Sequence, residues 1–412
     1  MKVGLAGSIL MGRQRAPQYE KGDHMTPYLR VANVLDGFID YLDILKMNFE
    51  PEEQSRFAVS PGDILVNEGQ SRELVGRSAV YRGEPHQFCF QNTLIRFRVG
   101  EGLDPEFAQA QFASWLNSGV FQLFCRQSTN IAHLGADRLA EIRMAVPPIE
   151  EQRAIVAHLA RETARLDALV AAKQRVLDLL AEKRKAIIAT AVTRGLDPTA
   201  KLRDSVVPWL GEIPAHWAPR RAKYLFRQSA LPVATGAEIV TCFRDGQVTL
   251  RRNRREEGFT NADLEVGYQG IRRGQLVLHS MDAFAGAIGV SDSNGRCSPE
   301  YIICEPLDRG VIVPEYFGPL LRTMALAGFI QASCPAVRER APRIRFNNFG
   351  EMYLPVPPQQ EQRAIVEHIA RETAKLDAVR AATERTIALL KERRSALIAA
   401  AVTGQLDLEA AT

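Results

Sequence analysis

Long apolar runs are missing from this chain. No stretch approaches 18 consecutive apolar residues, so a membrane-spanning helix is not expected. Residues 3–12 are mildly apolar but short and Gly-rich, and Arg13 and Arg15 follow without a small-residue cleavage site, which argues against a signal peptide. Paired cysteines are missing too. Cys89, Cys125, Cys242, Cys297, Cys304 and Cys334 show no C-x-x-C spacing, which excludes a disulfide framework or zinc site and fits reduced thiols in a cytoplasmic protein. Charge of one sign is slight: the net is +4 over 412 residues, too little to name a partner without local clusters. Several catalytic signatures are absent: a Gly-rich phosphate loop ending in Lys-Ser/Thr, H-E-x-x-H, G-x-S-x-G, and the Asn/Asp-Pro-Pro-aromatic tetrad of adenine methyltransferases. No metal is expected, and the repeat-equivalent His158 and His368 read as packing or surface residues.

What the chain does have is a duplication. Residues 147–193 recur at 357–403, offset by 210 without a gap, with 30 of 47 positions identical. Each copy reads as one long helix. A Pro pair opens it, and no further Gly or Pro follows until Gly195 or Gly404. Apolar residues fall on a seam of three- and four-residue steps: Ile155, Leu159, Leu166, Leu169, Val176, Leu180 and Ile187 in the first copy, Ile365, Ile369, Leu376, Val379, Leu390 and Leu397 in the second. That is coiled-coil spacing. A helix of this length is a rod of about 70 Å, and the simplest burial for two such stripes is against each other.

Before each rod lies a stretch of short strands and turns. In residues 1–146, Asp36-Gly37 sits between β-branched residues as a hairpin signal across 28–40. Residues 62–66 read as a buried strand, 67–77 as a polar loop and 105–126 as a helix. After a Pro- and Gly-rich connector (193–217), residues 218–356 repeat the plan: Asp245-Gly246 echoes Asp36-Gly37, 274–278 echoes 62–66, and 314–329 is the matching helix. The order is therefore globule 1–146, rod 147–193, connector and globule 194–356, rod and tail 357–412. The rods are near-copies, so they meet equivalent partners. The globules diverge, so they read different things.

The divergent loops are rich in groups that contact nucleic acid. The first globule offers Arg13, Gln14, Arg15, Arg30, Asn33, Asn67, Gln70, Arg72 and Arg77. The second offers Arg244, the run Arg251, Arg252, Asn253, Arg254 and Arg255, then His279, Arg338, Arg340, Arg343 and Arg345. Arginine pairs with guanine edges and phosphates, asparagine and glutamine with adenine. The competing reading of 251–255 is a solvated charge run beside Glu256 and Glu257.

The repeated P-P-x-x-E-Q-R-A-I-V, residues 28–40, 62–66 with its counterpart, and W-L-G-E-I-P-A-H-W at 209–217 together resemble the DNA-specificity subunit of type I restriction–modification systems. The resemblance covers nearly the whole chain. It implies an α+β fold: two mixed α/β target-recognition domains, separated by two long helices that form an antiparallel coiled coil, with a pseudo-two-fold internal repeat. It implies a non-catalytic protein reading a bipartite, asymmetric site on double-stranded DNA. Two methylation subunits and two restriction–translocation subunits would dock on it, and S-adenosylmethionine, ATP and Mg²⁺ would belong to those partners. One departure is that 209–217 has no counterpart before the first globule. Aligning the two Asp-Gly signals puts Met1 opposite Leu210, so that the globule begins short or the true start lies upstream. Two rival classes remain, a coiled-coil scaffold and a DNA methyltransferase in its own right. The first leaves the Arg-rich loops unexplained, and the second lacks the tetrad.

Overall fold

The computed structural model describes residues 1–128, 131–207, 209–254, 267–332 and 343–406. The chain folds as two compact units, Met1–Gln174 with Glu384–Thr412, and Arg175–Thr383. The division falls inside the two long helices, so each helix contributes one part to each unit.

In the first unit an antiparallel sheet has the spatial order Gly7–Met11, Leu94–Val99, Ile64–Asn67, Ser78–Val80. In the second unit the sheet runs Phe226–Gln228, Tyr301–Pro306, Leu276–His279, Ile288–Val290. The order is the same. So is the pairing of the two middle strands, with Ile64 opposite Phe97 and Leu276 opposite Cys304. Central positions Ile64, Val66, Leu276 and Leu278 are fully buried, which is why these stretches carry continuous apolar residues rather than an alternation.

A helix packs on each sheet. Pro105–Ser118 starts where Asp104 accepts from the amides of Glu106 and Phe107. It stops at Gly119, whose φ of 78° lies in the left-handed region. The single helix expected over 105–126 is therefore two, the second being Val120–Phe124, and Arg126 belongs to a strand. The second unit repeats this break: Pro314–Leu326 ends before Gly328 (φ 83°), and Phe329–Ala332 follows.

The Asp-Gly hairpin forms in one unit only. Val240–Cys242 pairs with Val248–Leu250 around Asp245-Gly246. Around Asp36-Gly37 there is a single bridge, Val34 to Ile39, and the neighbouring strand Met25–Leu29 pairs with Leu45–Asn48 and Cys89–Phe90 instead. Tertiary pairing has overridden the local turn signal here.

The long helices span Ile149–Arg194 and Gln359–Val402. Within the first unit Asp167 pairs with Arg394 at 3.1 Å. Within the second, Arg184 pairs with Asp377. These are the same pair drawn from the two copies, since Asp377 and Arg394 lie 210 residues after Asp167 and Arg184. Each unit's core joins the start of one helix to the end of the other: Ile155 and Leu159 with Ile398 and Val402, Ile365 and Ile369 with Ala191 and Val192. The seam differs from the expected one at three places. Leu166 is 6% exposed, but Leu169 (44%), Val176 (37%) and Val379 (48%) face outward. After Leu166 the stripe is only half-buried and takes a four-residue step to Val170, then Lys173, Leu177 and Leu180. With 3.6 residues per turn either order of steps is open to a helix, and packing chose the one the apolar pattern did not favour.

The two units also begin differently. In the second, Ala218–Arg221 pairs with Tyr353–Val356, and the amide of Ala222 donates to Met352 O. In the first, Lys2 bridges Arg143 and the amide of Val3 donates to Ile142 O. Met1 therefore stands opposite Arg220, not Leu210. The connector is a cap on the second unit: Leu210, Ile213 and Trp217 are buried, and Trp217 Nε1 donates to Glu361 at 3.0 Å.

Candidate nucleic-acid interface

The signature glutamines of the two repeats position the globules. Gln152 and Gln362 are fully buried. Gln152 Nε2 donates to Gly102 O (2.8 Å) and Pro147 O (2.7 Å), and its Oε1 accepts from the amide of Asp104 (2.8 Å). Gln362 does the same with Val311 O, Pro357 O and the amide of Val313, at 2.9, 2.8 and 2.9 Å. Each long helix is thus tied by one side chain to the loop that launches the globule's own helix. Sequence reading passed over both; their signal was a polar residue repeated at a position facing the core.

In the first unit the structure divides the expected DNA contacts. Gln14, Arg15 and Arg72 are exposed, with Arg15 beside Glu20 at 3.2 Å. Gln70 is half-buried on the short strand Gly69–Gln70. Arg13, Asn33 and Asn67 are interior, at 6%, 2% and 0% exposure, which corrects their assignment to an outward surface. Arg13 is enclosed by Glu53, Asn48 O and the Tyr19 ring. Asn33 donates to Asp40 O and Asp43 O, and Asn67 to Val34 O. With Arg30 on Asp43 and Arg77 on Asp36, these side chains hold loop 30–43 in shape. A buried amide seeks hydrogen-bond partners, and backbone carbonyls supply them for both amide nitrogens, while Asn67 Oδ1 has none among the described residues. What that loop presents outward is apolar: Phe38, Tyr41 and Leu42 at 54%, 45% and 93%.

A three-stranded ribbon, Gly69–Gln70, Ile131–His133 and Arg126–Ser128, was also missed. Arg126, Gln127, Ile131 and His133 are exposed on it, and His133 faces Glu68 at 3.1 Å. The major groove admits a two-stranded β-ribbon, and the pair Arg126–Ser128 and Ile131–His133 is one.

In the second unit Arg255 and Arg340 (with Arg338) lie outside the described residues. The rest of the 251–254 run folds back on its own hairpin. Arg252 pairs with Glu238 at 2.8 Å. Arg254 pairs with Asp245 at 2.6 Å and lies over Phe243. Asn253 donates to Thr249 Oγ1, and Arg251 reaches Thr241. By contrast Arg244, His279 and Arg343, far apart in sequence, meet around the turn 279–282. Arg244 pairs with Asp282 at 2.9 Å and Arg343 with Glu300 at 3.3 Å. The amide of Ile344 donates to Ser280 O. Arg345 is exposed two residues further on. Burial holds the His279 pKa below the ordinary histidine value, and Asp282 and Glu300 oppose that shift.

Among the described residues no group of three or more His, Cys, Asp or Glu could hold a metal ion, and no helix is long and apolar enough to cross a membrane. Burial pushes the Cys297 thiol up to about 12 and Cys125 to about 11.

The sequence matches no family model. It is 23% identical over 309 residues to the EcoBI type I restriction enzyme specificity subunit of Escherichia coli, covering 68% of this chain and 62% of that protein. It is 22% identical over 196 residues to the MjaX type I specificity subunit of Methanocaldococcus jannaschii (46% and 44%), and 24% over 209 residues to the StySPI specificity subunit of Salmonella potsdam (50% and 44%). The curated relatives of this chain are type I restriction enzyme specificity subunits. The matches span from under half to just over three-fifths of those relatives' length. Two solved structures share the fold over nearly the whole chain. One comes from work on the complex assembly and conformational transition of a type I R-M system, with a TM-score of 0.68 at 16% identity, covering 98% of this chain and 97% of that one. The other is the HsdS subunit from Thermoanaerobacter tengcongensis, with a TM-score of 0.50 at 16% identity, covering 98% and 96%. The resemblance read from the repeated motif and the chain's relatives therefore agree.

Proposed function

We propose that this chain is the non-catalytic specificity subunit of a type I restriction–modification complex, reading a bipartite, asymmetric DNA site. One half would be read by each globule, and the spacing set by the long helices packed as an antiparallel coiled coil. The observation that carries this reading is where the two repeats agree. Identity extends to outward-facing positions that packing does not require, such as Arg153 and Arg363, Arg161 and Arg371, Glu182 and Glu392. The ion pair Asp167–Arg394 recurs as Arg184–Asp377. Two equivalent surfaces on one chain suit two copies of one partner, and duplex DNA, whose strands are related by local two-fold axes, offers two equivalent strands to methylate. The partners are then two methylation subunits, with two restriction–translocation subunits completing the complex in the cytoplasm. S-adenosylmethionine, ATP and Mg²⁺ belong to those partners, and the methylation subunits take the target base out of the stack. Half-sites about one helical turn apart, roughly 34–36 Å, lie on one face of the duplex.

Mapping N6-methyladenine in cells carrying this chain with its methylation partner tests the proposal. A split motif with a fixed gap is expected, as is steeply salt-sensitive binding to that duplex. Binding with no sequence preference would favour a bare scaffold. Methylation by the isolated chain would favour an enzyme.

A further inference from the structure

We propose that the turn 279–282 of the second unit reads a guanine in the major groove, with His279 as an obligate hydrogen-bond donor flanked by Arg244 and Arg343. The inference rests on the bipartite-site reading above and adds the identity of a base.

The imidazole is set by the backbone. His279 Nδ1 lies 3.1 Å from the amide nitrogen of Asp282 and 3.3 Å from that of Met281. Both are donors, so Nδ1 must be the unprotonated nitrogen, and Nε2 carries the hydrogen. The ring stands edge-on to Tyr301, its partner across the sheet, with centroids 4.8 Å apart at 85°. Tautomer and orientation are thus fixed before any ligand arrives, and burial works in the same direction by opposing protonation of the ring. Nε2 has no hydrogen-bond partner among the described residues and is not one of their fully buried unpaired atoms, so its N–H is left for a ligand.

Its neighbours add donors. Arg244 and Arg343 have side chains 70% and 56% exposed. Arg244 is held by Asp282 and Arg343 by Glu300, which also accepts from the Ser280 hydroxyl at 2.5 Å; a guanidinium carries five N–H donors, so these pairings leave each arginine with further donors. A surface presenting donors calls for a base edge presenting acceptors. Guanine shows two side by side, N7 and O6. Adenine adds an N6 donor, cytosine shows an N4 donor, and thymine has one acceptor beside a methyl group. The same place in the first unit carries different chemistry. Asn67, at the end of the matching strand, is buried, and Glu68 faces His133. A shared framework with exchanged side chains at this turn is what two different half-sites require.

His279→Asn separates reading from folding, since the Asn Oδ1 can take the place of Nδ1 as acceptor for the two amides, while the Nε2–H is lost and the remaining donor, Nδ2, sits closer to the backbone than the imidazole edge reaches. The assay is N6-methyladenine mapping in cells carrying the full chain and its methylation partner. Wild type should give a split motif with a fixed guanine in one half. H279N should relax that position by roughly 2- to 12-fold in discrimination, the worth of one hydrogen bond, leaving the gap and the other half unchanged. Arg343→Gln, on a separate segment, should weaken the same position, so a poorly folded H279N does not decide the matter alone. A split motif unaltered by either variant overturns this inference and leaves the bipartite reading standing. So does a relaxed position that proves to be adenine, cytosine or thymine. A wild type with no split motif sinks both. Nitrogen-15 spectra of labelled histidine in the intact chain give an independent check: a proton on His279 Nδ1 would refute the donor assignment.

Discussion

Replacing Gln152 with alanine should release the first globule from its helix while leaving the second intact. The side chain is fully buried and makes three hydrogen bonds, to Gly102 O, Pro147 O and from the amide of Asp104. Truncation leaves that amide without its acceptor. The two carbonyls lose a donor, a smaller loss because a carbonyl has two lone pairs. A buried unsatisfied donor costs about 1–3 kcal/mol, and each lost net hydrogen bond about 0.5–1.5 kcal/mol, so a destabilisation of about 2–4 kcal/mol is expected. Hydrogen exchange should show it first at the Asp104 amide, with Val313 protected as before. Gln362→Ala should give the mirror pattern. Gln152→Glu sharpens the test. One carboxylate oxygen can still accept from Asp104, but the other then meets two carbonyl oxygens and needs a proton. The folded state would hold that proton above the ordinary glutamate pKa of about 4.3. The unfolded state binds fewer protons there, so stability falls as pH rises through neutrality and recovers towards pH 4. A Q152A protein that unfolds within about 0.5 kcal/mol of wild type, with Asp104 still protected, would refute the reasoning.

Three further outcomes follow from the packing and titration of the chain. Leu166→Ala should cost about 2–4 kcal/mol in thermal unfolding and Leu169→Ala no more than about 0.5 kcal/mol, since only Leu166 is buried; equal losses would restore the seam expected from the sequence. A double-mutant cycle on Asp167 and Arg394, about half-exposed, should return a coupling of about 0.2–1 kcal/mol. The same cycle on Arg184 and Asp377 should match it, and a gap much larger than that range would break the equivalence of the two copies. Because the His279 pKa is lowered in the folded chain, the unfolded state takes up a proton first as pH drops below about 6.5, so the second unit loses stability on acidification. His279→Asn should flatten that pH dependence, and an unchanged slope would place the titration elsewhere.

Much of the architecture is legible in the sequence. The duplicated 47 residues, bracketed by Pro pairs and by Gly195 and Gly404, announced two long helices, because breakers at the ends and none between leave a chain of Ala, Leu, Glu and Arg little else to form. The framework strands were legible at 62–66 and 274–278, where apolar runs follow a Gly turn. The arginines were harder. Arg13 and Arg15 look alike in sequence, yet one is enclosed by Glu53 and Tyr19 and the other is exposed. Residue type alone cannot tell a cation that binds a ligand from one that holds a loop.

The sequence by itself determined the repeat, the length of the helices and the framework strands that recur in the two halves, since these follow from local propensity and from copying. Tertiary structure alone decided which face of the first long helix turns inward after Leu166, that Asn33 and Asn67 turn inward, that Gln152 and Gln362 bind the launching loops, and that His279 Nδ1 accepts from the Met281 and Asp282 amides. Each of those outcomes depends on partners dozens of residues away. A side chain's role is set by whichever donor, acceptor or apolar wall the fold brings to it.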